Sequence, residues 1–136
     1  MDVLVGIHSL WRWGVLIVVL VAFVRGLIGW LRGGDWTRND RTLALLATTA
    51  LDIQLVIGIL VYGAGQHWKN PDPFIAYIHP LVMIIAIAIA HIFSVRARRA
   101  PTPIAKHRTL AIGLFVTLFL VSAAIPAYSW SRAWVS

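Results

Sequence analysis

The chain contains no cysteine, and charged residues make up only 12% of its 136 positions. Without cysteine there is no disulfide, no thiolate metal site and no thiol nucleophile. Glutamate is also absent. The only acids are Asp2, Asp35, Asp40, Asp52 and Asp72, which leaves little scope for a carboxylate-cluster metal site or for paired-carboxylate hydrolysis. There is no nucleophile elbow, helical zinc motif or Walker loop. Hydrolytic catalysis therefore has no support.

What is abundant is apolar side chain. Hydrophobic residues make up 60% of the chain, and the mean hydropathy is +0.81. Soluble domains carry roughly a quarter charged residues, so lipid is the expected solvent for most of this surface. Four apolar runs stand out, at residues 3–31, 43–64, 74–95 and 106–128. Each approaches or exceeds the roughly 20 residues that cross a hydrocarbon core as a helix. Backbone groups in lipid must pair within their own segment, so helices are expected rather than strands. The connections are short, which predicts an all-α membrane protein: a four-helix up-down bundle in a single domain. The first run is read as a span rather than a cleavable leader, because residues 1–6 hold no Lys or Arg and no small-x-small site precedes Arg25.

The net charge of +7 sits mainly in two connections, which argues against nucleic acid as a partner. Loop one carries Arg32, Arg38 and Arg41; loop three and its edges carry Arg96, Arg98, Arg99, Lys106 and Arg108. Loop two holds only Lys69, and the C-terminal tail only Arg132. The positive-inside rule then predicts loops one and three in the cytoplasm and both termini outside. Trp11, Trp13, Tyr62, Trp68, Tyr77, Tyr128, Trp130 and Trp134 mark the outer interface, and Trp30 and Trp36 the inner one.

Ionisable residues inside spans are costly and usually face the bundle interior. His8, Arg12 and Arg25 lie on the first span, Asp52 on the second, His79 and His91 on the third, and His107 opens the fourth. From the 1.5 Å helical rise, His8 and His79 lie about 14 and about 9 Å to the outer side of their span centres, and His91 and His107 about 9 and about 15 Å to the inner side. This makes an outer pair and an inner pair. Two neutral imidazoles from facing helices can fill both axial positions of a haem iron, and helix bundles build cofactor sites in this way. Arg12, one turn from His8, could pair with a propionate. Gly6, Gly14, Gly58 and Gly63 offer small surfaces for close packing.

The plainer alternatives are specific. His8 and His79 could be interfacial histidines bonded to backbone or to each other. His91 could make an interhelical hydrogen bond, and His107, between Lys106 and Arg108, could be a cationic boundary residue. His67 reads as a solvated loop residue. Asp52 reads either as a proton-relay or quinone-facing acid, or as a static partner of Arg25 or Arg12.

The run His8-Ser9-Leu10-Trp11-Arg12-Trp13, the pair His79-Pro80 with Met83, the Ala90-His91 step, Lys106-His107-Arg108 and Ile125-Pro126 together resemble small bacterial four-helix membrane proteins described as cytochrome-b-like. The general plan is similar to the cytochrome b561 class. That class pairs histidines several turns apart on one helix face, whereas His79 and His91 are turned about 120° from each other; the departure bears on a second haem more than on the first. The resemblance implies a multi-pass protein of a bacterial inner membrane that binds haem b and serves electron transfer. The expected reading is a non-catalytic cytochrome subunit of a respiratory or photosynthetic oxidoreductase complex, passing electrons between quinone and an outer partner. It would hold one haem between His8 and His79, with a second haem or a quinone near His91 and His107. The alternatives are a cofactor-free accessory subunit contacting other subunits and membrane lipids, and a small proton-coupled transporter using Asp52.

Overall fold

A computed structural model describes residues 2–130; Arg132 and Trp134 lie outside the described residues. Four helices are long and apolar enough to cross a membrane. They are α1 (Asp2–Arg32), α2 (Arg38–Ala64), α3 (His79–Arg99) and α4 (Pro103–Ala123). A π-helical turn, Phe74–Ile78, leads into α3. Short 3-10 turns at His67–Lys69 and Ala127–Ser129 complete the described chain. The helices form a ring in which α1 packs on α2 and α4, and α3 packs on α4; the α2–α3 seam is the thinnest.

Polar caps extend the helices past the apolar runs. At α2, Thr37 and Asp40 form a capping box, with the Asp40 carboxylate accepting from Thr37 N at 2.8 Å. The box starts the helix at Arg38 rather than at residue 43, because capping acts on backbone groups that hydropathy does not register. Asp40, only 2% exposed, also accepts from Arg25 Nε at 2.8 Å and ties α2 to α1. In the same way Thr102 Oγ1 accepts from Ala105 N, so α4 starts at Pro103 rather than at residue 106. α4 ends at Ala123, short of residue 128. Pro126 has no N–H and disfavours helical backbone at Ile125, so the apolar run outlasts the helix. α1 closes on Gly33, whose φ of +68° lets Gly34 N reach Gly29 O at 3.1 Å; only glycine takes that backbone without steric cost.

Small residues fill the core. Ala22, Ala44, Ala47, Ala86, Ala90 and Ala97 are buried, which lets the helices approach closely, as membrane bundles do. A side chain at Gly113 would collide with Phe93 across the α3–α4 contact. Larger apolar side chains face outward: Ile17, Leu60, Phe115 and Phe119 are each more than half exposed. Outward-facing apolar side chains on all four helices match a hydrocarbon solvent. Trp13 against Trp130 and Tyr62 against Trp68 gather at one end of the bundle, and Trp36 against His107 at the other.

Candidate cofactor site

His8 sits on the second turn of α1, and His79 is the first residue of α3. Their ring centroids are 6.3 Å apart and the planes cross at 85°. Local sequence aims each ring. Beside His8, Gly58 on α2 leaves the room: a Cβ there would stand 3.1 Å from His8 Cε1. Gln54 Nε2 donates to the His8 carbonyl at 2.9 Å and fastens the same turn to α2. Of the other glycines singled out for close packing, Gly14 and Gly63 face open space, where an added Cβ would meet nothing within 4 Å.

For His79 two prolines matter. Pro126 ends α4, so the Ala124 carbonyl lacks a helical donor and accepts from His79 Nδ1 at 2.7 Å. A carbonyl can only accept, so Nδ1 carries the proton and Nε2 keeps its lone pair. Orienting one ring nitrogen so that the other is free to ligate is the usual support for a metal-bound histidine. Pro80 supplies no N–H to the preceding turn, and the Ala76 carbonyl accepts instead from Tyr62 Oη at 2.8 Å.

The two rings line a cavity of about 530 Å³, within the range of about 300–1,000 Å³ usual for cofactor sites. Leu51, Leu55, Met83, Ile87, Val121 and Ile125 give it apolar walls. Arg12, 8% exposed, also lines it, donates from Nη2 to Ser129 O at 3.0 Å and stacks on Trp13 at 5.3 Å. Among the described residues, His8 Nδ1, Ser9 Oγ, Gln54 Oε1 and His67 Nε2 are buried polar atoms on lining residues that find no hydrogen-bond partner. Buried polar atoms are ordinarily satisfied, so this concentration marks a place where a guest with polar edges would complete the shell.

The pair suits a haem better than a bare ion. Among the described residues no three His, Cys, Asp or Glu side chains converge on a metal position, whereas a protein-held ion typically has three or four such ligands. Two imidazoles suffice only for a metal that brings its own remaining donors, as a macrocycle does. A metal–imidazole bond is about 2 Å and a ring centroid lies roughly 1 Å behind its nitrogen, so two rings on one iron stand about 6 Å apart. The observed centroid separation is 6.3 Å, which leaves both rings within reach of one group held between them.

The inner histidines are not brought together. His91 Nε2 lies 2.7 Å from Asp52 Oδ1, and both side chains are about half exposed, 46% and 49%, on the outside of the α2–α3 seam. Asp52 thus pairs with His91 and not with Arg25, which is held by Asp40, or with Arg12, which donates to Ser129 O. His107 is 1% exposed. Its Nε2 donates to the Asp35 carbonyl at 2.8 Å, its ring meets Trp36 at 5.1 Å, and it fills the notch left by Gly29. It joins α4 to loop one as a buried strut, where the sequence suggested a charged boundary residue or a ligand. His67 also departs from expectation. The 3-10 turn folds it back over Tyr62, with ring centroids 6.3 Å apart, and it becomes part of the cavity wall rather than a solvated loop residue. Tyr62, read from the sequence only as an interface aromatic, joins Gln54 and Ser9, to which the sequence assigns no role, in the cavity wall. Gln54 and Ser9, polar side chains in hydrophobic runs, were the available signal.

No protein-family model, curated protein or solved structure compared with the chain matches it.

Proposed function

We propose that this protein is a membrane cytochrome that holds one haem b between His8 and His79. One observation carries the reading: two imidazoles from separate spans, with ring centroids 6.3 Å apart, line one largely apolar cavity. Arg12 suits a propionate, since a guanidinium in a largely apolar wall pairs strongly with a carboxylate. The bond from His79 to Ala124 O fixes the ligating tautomer. When bound, the haem supplies one-electron oxidation and reduction. His8 and His79 would hold the group through ring nitrogens, the apolar wall would exclude water, and Arg12 would pair with a propionate.

The resemblance to cytochrome-b-like proteins supports the same reading, and with it a bacterial inner membrane as the location. The basic residues of loops one and three share one end of the bundle and the cavity occupies the other. With the positive end inside, the haem lies near the outer face and both termini are outside. The Asp52–His91 pair suits a quinone headgroup. Asp52 lies 14 residues from one end of α2 and 12 from the other, so it is near mid-bilayer, where exposed polar side chains are costly without a polar ligand or a covering subunit. Electrons would pass between quinone and an outer partner, within a larger respiratory or photosynthetic complex.

A pyridine haemochrome spectrum of protein purified after expression with adequate haem tests the reading. The expected result is b-type absorbance in the wild type, lost in His79→Ala while helical circular dichroism persists. No b-type absorbance in the wild type would remove it. A second reading, a cofactor-free accessory subunit, draws on the half-exposed Asp52–His91 pair as a contact for a neighbouring subunit. It predicts no haem in any preparation and co-purification of a partner that His91→Ala releases.

A further inference from the structure

The end of the bundle opposite His8 and His79 holds a second concavity, of about 630 Å³. Arg38 and Arg41 reach it from the start of α2, Arg98 and Arg99 from the end of α3, and Lys106 from the first turn of α4; Trp36 and Val95 add apolar wall. No acid lines it among the described residues. Among the described residues, the Arg25–Asp40 ion pair and the His91–Asp52 hydrogen bond use none of these five cations. Lys106 Nζ instead donates to the Ala97 and Arg98 carbonyls. That contact holds the start of α4 against the end of α3 and fixes the wall of the concavity.

Four exposed guanidinium groups and one ammonium around one concavity give it a strong positive potential that favours an anion. The positive-inside rule explains basic loops, but it does not require the side chains of three helices to converge on one site. Planar guanidinium forks match phosphate oxygens. The surroundings indicate an amphiphile. Leu45, one turn beyond Arg41 on the same face of α2, and Ile92, three residues before Val95 on α3, are 60% and 53% exposed. They place exposed apolar side chains on both helices within one turn of the site's own residues. A soluble phosphate would use only the arginines, whereas a phospholipid uses the arginines and these apolar side chains together. Basic pockets between spans on the positive side bind such headgroups.

We propose that this site binds the headgroup of an anionic phospholipid, with the four arginines sufficient to pair two phosphates. A lipid with two phosphodiesters therefore binds more tightly than one with a single phosphodiester. The inference does not depend on haem. Native mass spectrometry and thermal unfolding of the purified protein in detergent test it, with added cardiolipin, phosphatidylglycerol, phosphatidylcholine or inorganic phosphate. The expected order is cardiolipin over phosphatidylglycerol, with no retention of phosphatidylcholine and no effect of inorganic phosphate at matched concentration. Arg98→Gln/Arg99→Gln should weaken cardiolipin binding about tenfold or more. Arg96→Gln/Arg108→Gln removes two charges from the same loop but not from the site, and should leave binding near wild type. Equal losses in the two double variants would reduce the site to diffuse loop charge. Equal retention of phosphatidylcholine, or displacement of cardiolipin by inorganic phosphate, would also overturn the lipid assignment.

Discussion

At the residue scale, close approach of small side chains controls the histidines. Gly58→Val places bulk where a Cβ alone would stand 3.1 Å from His8 Cε1, so the ring must shift. The expected outcome is reduced haem retention with the helical content unchanged. Gly14→Ala, which meets nothing within 4 Å, should retain haem as the wild type does. Gly29→Ala collides with the buried His107 ring; overpacking of this kind costs about 1–3 kcal/mol and should appear as a lower unfolding temperature. If Gly29→Ala were as stable as the wild type, His107 could not be a tightly packed strut. Asp40→Asn keeps the side-chain shape but leaves Arg25 without its carboxylate and weakens the capping box. A loss of roughly 1–3 kcal/mol is expected, measured by denaturation in detergent.

At the element scale, the ends of the helices position the site. α4 stops where Pro126 forbids its continuation, and the carbonyl released at Ala124 holds His79. Pro126→Ala should let α4 extend and draw that carbonyl into a helical bond. The His79 ring would then lose its orienting partner, because the second nitrogen of a ligating histidine sets the tautomer and basicity of the first. The expected outcome is a shifted haem reduction potential and faster haem loss, with the spans intact. An unchanged potential would show that the Ala124 contact is incidental. Tyr62→Phe removes the donor to the carbonyl at Ala76 and should cost about 1 kcal/mol, loosening the π-helical turn ahead of His79.

At the scale of the whole molecule, the asymmetry lies between the two ends of the bundle. One end holds the apolar cavity and most of the aromatic contacts; the other holds the concentration of arginines. Reporter fusions after residue 35 and at the C-terminus test the orientation this implies. Periplasm-dependent alkaline phosphatase should be active at the C-terminus and inactive after residue 35. The reverse pattern would put the His8–His79 cavity on the cytoplasmic side and redirect the proposed electron transfer to that face.

The sequence by itself determined that four segments are long and apolar enough to cross a membrane as helices, because hydropathy and length act on each segment independently. It also located the His8–His79 pair, since the helical rise alone sets height in a bundle. What only the tertiary structure decided was direction: which way each ring points and what it meets. His91 turned to Asp52, His107 went into the notch beside Gly29, and His67 folded onto Tyr62. Rotation about a helix axis and the path of a loop depend on neighbours distant in sequence. Short-range periodicity is nearly blind to them in a chain that is apolar on every side.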